Sequence, residues 1–191
     1  MPPFLLTAPA GEPVLLAEVK AWLRIDFSAE DDAITALIAA ARQLVEALTR
    51  RRLISQTWRF VLDGWPQDFI LRIPAAPFQS ITGIRIYDTT GIAQPLPASL
   101  WTLDANPEAA RLMFATNPPA PGRAMAGIEV DVALGYGATP ASVPDPLRQA
   151  IRMLVARWYE NRGDANADSS AARVPASVAS LLAPFIRWRL A

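Results

Sequence analysis

The spacing of hydrophobic residues changes twice along this chain of 191 residues, and these changes constrain the fold more than any single motif does. Between residues 34 and 48, apolar side chains recur every three or four positions, which is the helical period. Between residues 58 and 134 they alternate with polar ones, which is the period of a strand. The helical period returns after residue 145. The pattern therefore predicts helices at both ends of the chain and strands between them.

Two helices are predicted in the N-terminal part. The first spans residues 14–25 and places four apolar side chains on one side: Leu15, Val19, Trp22 and Leu23. The second follows a break at residues 26–28, where Ser28 is a favoured N-cap and Asp31, three residues later, completes a capping box. We expect it to end at Arg50-Arg51-Arg52, because cations complement the C-terminal end of the helix dipole.

Two more helices are predicted in the C-terminal part. Asp145 is the expected N-cap of the first, with Pro146 at its first helical position and Gly163 just past its end. The last helix is expected to begin near Pro175, after a polar loop at residues 164–173. Strands are predicted between the two pairs of helices at 58–62, 69–73, 81–87, 100–103, 111–114 and 128–134.

Together these elements predict an α+β fold: a helical bundle, with two N-terminal and two C-terminal helices, interrupted by a small antiparallel β insertion. We expect a single domain over residues 1–191. Its parts are the N-terminal helices at 14–54, the β insertion at 55–138, and the C-terminal helices with a short tail at 144–191.

The composition excludes several classes of active site. The chain has no cysteine and no histidine, which excludes thiolate catalysis, zinc–sulfur sites and histidine acid–base catalysis. We predict no catalytic residue, no cofactor and no metal. No segment resembles a signal peptide or is long enough to span a membrane, so we expect synthesis in the cytoplasm and no membrane partner. The hydrophobic fraction of 52% fits either an alanine-rich globular protein or a surface covered by neighbouring subunits.

Two groups of acidic residues are candidates for chemistry. Glu30-Asp31-Asp32 could bind a metal, but a run of carboxylates in the first turn of a helix is explained by the helix dipole. Glu129 and Asp131 lie two residues apart on one strand, which is the spacing of a paired-carboxylate site. Without a histidine or a third acid beside them, we expect this pair on the solvated face of a sheet.

Two groups of basic residues are candidates for binding. Arg50, Arg51 and Arg52 could contact nucleic acid or form salt bridges to a neighbouring subunit. The C-terminal residues Arg187, Trp188, Arg189 and Leu190 lie beyond the last predicted helix. Tryptophan and arginine are enriched in binding hot spots, so this tail is either a docking segment or folds back on its own helix.

Several short segments, in order along nearly the whole chain, resemble the phage head–tail connector family, also called adaptor or head-completion proteins. The segments are residues 16–24 with Asp31-Asp32, residues 41–58 with their Thr49-Arg50-Arg51-Arg52 turn, Gly135-Tyr136-Gly137, residues 143–151, Trp158-Tyr159-Glu160-Asn161-Arg162, and residues 174–187. Three positions depart from the family pattern. Leu15 replaces a usual Ser or Thr cap, Arg50 replaces a usual glycine, and Phe185 replaces a common tyrosine.

The resemblance implies a structural protein and not an enzyme. It implies a cyclic, twelvefold ring of identical subunits in the neck of a virion or phage-like particle, assembled in the bacterial cytoplasm. The implied partners are the portal protein, a tail-side stopper or terminator protein, and DNA that passes through the channel during ejection without specific recognition. The portal-docking candidates are Phe185, Arg187, Trp188, Arg189 and Leu190. A free phage, a prophage and a gene transfer agent all remain open as the source.

Two other functions remain as alternatives at this stage. The first is a nucleic-acid-binding module that uses Arg50, Arg51 and Arg52, and salt-sensitive binding of duplex DNA would support it. The second is an enzyme that uses Glu129 and Asp131, and it would need a turnover that is lost in a Glu129→Gln variant.

Overall fold

The computed structural model of the protein describes residues 3–115, 117–161 and 174–186. This part of the chain forms four α-helices and eight β-strands, so the fold is mixed α and β with antiparallel sheets. The helices are α1 (Leu16–Leu23), α2 (Asp31–Thr49), α3 (Asp145–Glu160) and α4 (Ala176–Leu182). The strands are β1 (Phe4–Thr7), β2 (Gln56–Leu62), β3 (Ile70–Arg72), β4 (Phe78–Tyr87), β5 (Ala93–Pro95), β6 (Trp101–Asp104), β7 (Arg111–Phe114) and β8 (Ile128–Leu134).

The chain divides into two compact units. A β unit is formed within residues 1–10 and 55–136, and a helical unit within residues 11–54 and 137–191. The described strands of the β unit form a five-stranded sheet in the order β1-β2-β8-β4-β5 and a three-stranded sheet in the order β3-β7-β6. All of the strand pairs in both sheets are antiparallel.

One hydrophobic core joins the two sheets of the β unit. The even-numbered residues of β8 all point into it, and Ile128, Val130, Val132 and Leu134 are completely buried. Leu112 and Phe114 of the smaller sheet belong to the same core. The alternation of apolar and polar residues along β8 thus gives one apolar face, as the sequence predicts.

The helical unit has a core of its own, which explains why α2 and α3 are amphipathic. The helical spacing of apolar residues brings the buried side chains to one stripe of each helix. The buried residues are Ile34, Ile38, Ala41 and Val45 on α2, Leu147, Ala150, Ile151, Leu154 and Val155 on α3, and Val178 and Leu182 on α4. No helix in the described ranges is long and apolar enough to cross a membrane.

The four apolar residues that the sequence places on one side of α1 differ in burial. Val19 is completely buried, but Leu15 and Trp22 are each about half exposed, at 52% and 51%. Trp22 lines an open groove of about 360 Å³ together with Met153 of α3 and Val178 of α4. A helix of eight residues buries only a narrow stripe, so spacing alone does not fix how many of its apolar residues are covered.

The predicted N-caps of two helices are wrong. Helix α2 begins at Asp31, and Glu30 is its N-cap without a side-chain capping bond, because Ser28 accepts the Asp31 N–H through its backbone oxygen, 3.1 Å away. Helix α3 begins at Asp145 itself, and Pro144 is its N-cap. The predicted start of α4 after Pro175 is confirmed.

Strand β1 has no counterpart in the sequence prediction. Its residues Phe4-Leu5-Leu6-Thr7 show no alternation, and all four are exposed in the described structure. The strand exists because it pairs with β2 more than 50 positions away, with Phe4 opposite Arg59 and Leu5 opposite Trp58. A short edge strand held by such a distant partner leaves no local signal in the sequence.

Candidate functional site

The three consecutive arginines lie where the chain leaves α2 and reverses direction. Arg50 adopts the left-handed conformation, with φ of 55°, and its side chain is exposed. Thr49, which is completely buried, donates its hydroxyl to the Val45 carbonyl at 2.7 Å and accepts the Arg51 backbone N–H at 3.3 Å. This turn directs Arg51 back toward the helical unit.

Arg51 holds the residue at which the C-terminal helical segment ends. Its Nε donates to the backbone oxygen of Phe185 at 2.8 Å, although the two residues are 134 positions apart. Its guanidinium also lies 5.8 Å from the centre of the Phe185 ring, which is within the range of a cation–π contact. Arg51 is only 8% exposed, so both contacts form in a largely desolvated position.

A second cluster of polar side chains surrounds the same turn. Glu46 is 5% exposed and accepts the Leu53 backbone N–H at 2.9 Å. Arg42 forms a pair with Glu46 at 3.5 Å and with Glu12 at 2.8 Å. Burial lowers the pKa of Arg52, with Glu46 raising it and Arg42 lowering it further. Arg52 stays charged despite the net lowering, because arginine titrates far above neutral pH.

The structure thus brings together two sets of residues that the sequence presents as separate candidates. Arg51, from the basic run, contacts Phe185, from the set of docking candidates. Arg50 is exposed beside them, and Arg52 is partly buried. Arg187, Trp188, Arg189 and Leu190 lie outside the described residues, as do Gly163 and the loop at 164–173.

The expectation that Glu129 and Asp131 lie on a solvated face is wrong. Glu129 is 8% exposed and Asp131 only 2%. Arg59 on β2 donates two hydrogen bonds to Asp131, at 2.7 and 2.9 Å, and Arg85 on β4 donates a third at 2.8 Å. Glu129 pairs with Arg59 at 2.9 Å and accepts the Tyr87 hydroxyl at 2.9 Å. Side chains from both flanking strands therefore cover the pair.

The electrostatics of this cluster favour the charged form of Asp131. Burial by itself raises the pKa of Asp131, but the hydrogen bonds and charges of Arg59 and Arg85 outweigh it, and the net pKa is lowered. The bond to Asp131 in turn raises the pKa of Arg59. A general base needs a pKa near the working pH, and the pKa of Asp131 is instead lowered. The cluster binds strands together and is poorly suited to proton transfer.

The acidic run at the start of α2 is also paired within the chain. Glu30 accepts a short hydrogen bond from the Tyr159 hydroxyl of α3, and Asp31 forms a 2.6 Å salt bridge with Lys20 of α1. Within residues 3–115, 117–161 and 174–186, no three acidic side chains come together in a way that could hold a metal ion. These carboxylates tie three helices to one another.

Comparison with known proteins assigns the chain to a family. The model of the phage gp6-like head–tail connector proteins matches residues 14–88. A solved chain from the virion of a native gene transfer agent (GTA) particle is 30% identical to this chain with a TM-score of 0.82, and the alignment covers 100% of this chain and 98% of that one. The chain belongs to the head–tail connector family.

Two further solved chains are also similar to this connector over its full length. One comes from the neck of an empty GTA particle computed with C6 symmetry and is 29% identical, with a TM-score of 0.82. The other comes from the neck of a native GTA particle computed with C12 symmetry and is 29% identical, with a TM-score of 0.79. Each alignment covers 100% of the connector and 98% of the solved chain. Among curated proteins, none matches its sequence.

Sequence reasoning missed the polar partners that position the connector's candidate residues. Arg42 and Glu46 are four positions apart on α2, beside the buried Ala41 and Val45, and this charged pair next to an apolar stripe was the available signal. For the β unit, the signal was the opposite charge of Arg59 and of Asp131 on predicted strands. Only the observed register, which places the two residues opposite each other, makes that signal specific.

Proposed function

We propose that this connector is a structural adaptor in the neck of a phage-like particle, where identical copies form a cyclic ring between the portal and a tail-side stopper or terminator protein. The observation that carries the proposal is the full-length match to a chain of the GTA virion, at 30% identity and a TM-score of 0.82. The C12 symmetry of a neck that contains a similar chain supports a ring of twelve copies. The ring continues the channel through which DNA passes without specific recognition.

The distribution of apolar side chains supports assembly into a ring. Phe4, Leu5 and Leu6 of β1 are 43% to 45% exposed on an edge strand, and Trp22 and Phe27 of the helical unit are about half exposed. Large apolar side chains in such number are typical of surfaces that neighbouring subunits cover. In a cyclic ring each copy contacts its two neighbours through two different surfaces, so exposed apolar residues in both units fit this assembly.

The proposal includes an internal arrangement: a helical bundle at 14–54 and 144–191, interrupted by a β insertion at 55–138. The division of the chain supports it, because the helical unit is drawn from residues 11–54 and 137–191 and the β unit lies mainly between them. Strand β1 is an addition to this scheme, since the N-terminus joins the β unit.

The C-terminal segment is proposed to dock on the portal. Phe185 ends the last helical turn, and Arg187, Trp188, Arg189 and Leu190 follow it in the sequence. Tryptophan and arginine are the residue types that contribute most to binding energy in protein interfaces. Arg50, which is exposed, is a candidate for contact with a neighbouring copy or with DNA.

The proposed role requires no reaction, and assembly takes place in the bacterial cytoplasm. The best pair of carboxylates for catalysis, Glu129 and Asp131, is buried and bonded to arginines of the two flanking strands. A nucleic-acid-binding module built on the three arginines finds little support in the geometry, because the guanidinium of Arg51 is buried against Phe185.

The test is complementation in a strain that produces such particles but lacks the connector gene. The full chain is expected to restore tailed particles, and a chain without residues 187–191 is expected to give filled heads without tails. Replacing Arg187 and Arg189 with glutamine should have the same effect as the deletion. The matched control replaces Arg72 and Arg111, whose side chains are 62% and 57% exposed in the β unit, with glutamine and should restore tails.

Two results would contradict the proposal. Tailed, infectious or gene-transferring particles in the strain without the gene would exclude a role in the neck. Binding of duplex DNA that weakens steeply with salt, and that is lost in an Arg50→Gln variant, would favour the nucleic-acid-binding alternative.

A further inference from the structure

We propose that Arg51 is a positioning residue, which fixes the point and direction in which the C-terminal segment leaves the helical unit. This inference rests on the proposed portal docking of residues 187–191. Arg51 itself does not need to touch the portal.

The guanidinium of Arg51 contacts two different groups of Phe185, its backbone oxygen and its ring. The Nε of Arg51 bonds the backbone oxygen of Phe185 at 2.8 Å, and the guanidinium carbon lies 5.8 Å from the centre of the Phe185 ring. A backbone bond fixes the position of the main chain, and the contact with the ring restricts rotation about it. Ile186 then continues in extended conformation, with its N–H bonded to the Ala183 oxygen at 3.3 Å.

Arg51 is itself held in place before it binds Phe185. Thr49 lies in the helix core and bonds both the Val45 carbonyl and the Arg51 N–H. The left-handed turn at Arg50 then sets the direction of the next side chain. A planar guanidinium on a fixed backbone loses little further entropy when it bonds, whereas a lysine ammonium at this position lacks the directional fork.

A docking segment that leaves the protein at a fixed point binds its partner more tightly than one that must first be ordered. Loss of one charge-assisted hydrogen bond and one cation–π contact is expected to weaken docking about tenfold. The same loss should speed the cleavage by carboxypeptidase that reaches Ile186 and Phe185 in the free connector, since local opening governs such cleavage.

The experiment compares four forms of the connector: wild type, Arg51→Gln, Arg51→Lys and Arg24→Gln. Arg24 is the control, because it is an exposed arginine of the same helical unit, at the C-cap of α1. Each form is made as the full chain and as a chain without residues 187–191. Binding to the purified portal ring is measured for both chains, and the release of C-terminal residues by carboxypeptidase is measured for the full chain.

Both Arg51 variants are expected to bind the portal about tenfold more weakly as full chains and to release their C-terminal residues about tenfold faster. In the shortened chain they should bind as the shortened wild type does, because the segment they position is absent. Arg24→Gln should change neither measurement. If Arg51→Gln does not fold, Arg51→Lys, which keeps the charge, gives the same comparison.

Equal losses of portal binding in the full and shortened chains would mean that Arg51 supports only the fold, and would overturn the inference. An unchanged rate of carboxypeptidase release in both Arg51 variants would overturn it as well. Unchanged portal binding after deletion of residues 187–191 would instead refute the proposed docking, and the carboxypeptidase rates would still decide whether Arg51 anchors the segment.

Discussion

Replacing Arg50 with glycine is expected to stabilise this connector, although it removes a charge from the end of a helix. Arg50 has φ of 55° at the C-cap of α2. A residue with a Cβ pays about 1–2 kcal/mol in this conformation, whereas glycine adopts it freely. Glycine also loses about 0.5–1 kcal/mol more conformational entropy on folding. In salt that screens the lost charge, the net expectation is a gain of about 0.5–1 kcal/mol in the free energy of unfolding.

The comparison of glycine with alanine at position 50 tests this prediction most directly. Arg50→Ala keeps the strained conformation, so Arg50→Gly should be more stable than Arg50→Ala by about 1 kcal/mol. Gln43 is exposed inside the same helix and provides the opposite case. There Gln43→Gly should be less stable than Gln43→Ala by about 1 kcal/mol. Urea unfolding of the four variants, followed by circular dichroism, measures both differences.

One result would refute the reasoning. If Arg50→Gly were no more stable than Arg50→Ala, the backbone at position 50 could not be left-handed, and the turn that directs Arg51 toward Phe185 would have to be rebuilt. The usual glycine of the family at this position is the residue that the observed conformation favours. Arg50 therefore lowers the stability of this chain locally, at the C-cap of α2.

Three further predictions concern stability and titration. Asp131→Asn should lower the free energy of unfolding by about 3 kcal/mol in urea melts, against less than about 0.5 kcal/mol for the exposed control Asp104→Asn. Because folding lowers the pKa of Asp131 from 3.8, its contribution should be present above pH 3.8 and disappear as the pH falls through the folded pKa, so that the difference from wild type narrows in acid. Leu15→Ser should raise the melting temperature, since Leu15 is an extended N-cap without a capping bond and serine caps contribute about 1 kcal/mol. The Asp88 carboxyl should titrate with a pKa of about 2 in an NMR measurement, because it accepts hydrogen bonds from Thr90 and the Ile92 N–H; a value near 4 would contradict the turn it holds.

The long periodic elements could be predicted because their signal is repeated. Helix α2 buries apolar residues over four turns, and β8 alternates over seven residues, so each element is specified many times by its own sequence. Strand β1 could not be predicted, because its four exposed residues depend on a partner that lies far along the chain. The N-cap predicted for α2 was wrong because the chain forms a turn at residues 28–30, in which the backbone oxygen of Ser28 accepts the Asp31 N–H.

The candidate site shows a second limit of sequence reasoning. Alternation along β8 correctly placed Glu129 and Asp131 on one face, but it does not report what covers that face. Arg59 and Arg85, on the two flanking strands, cover Glu129 and Asp131. They do so because the cross-strand register places Arg59 opposite Asp131 and Arg85 opposite Glu129. Similarly, the sequence identified Arg51 as part of a basic run. It could not predict the hydrogen bond from Arg51 to the Phe185 carbonyl, because the two residues are 134 positions apart.

Both units of the connector use arginine at points where packing alone would leave the geometry undefined. Apolar contact is non-directional and tolerates sliding, whereas a guanidinium that bonds a carboxylate or carbonyl fixes distance and angle together. Arg59 does this across two strands of the β unit, and Arg51 does it between the end of α2 and the last helical turn. In the proposed ring, each copy contacts a neighbour on two sides, and fixed geometry within the copy favours closure of the ring. Removing Arg59 should therefore lower the stability of the β unit, because it leaves the buried Asp131 without its main partner, whereas Arg51→Lys should chiefly change the contact with Phe185.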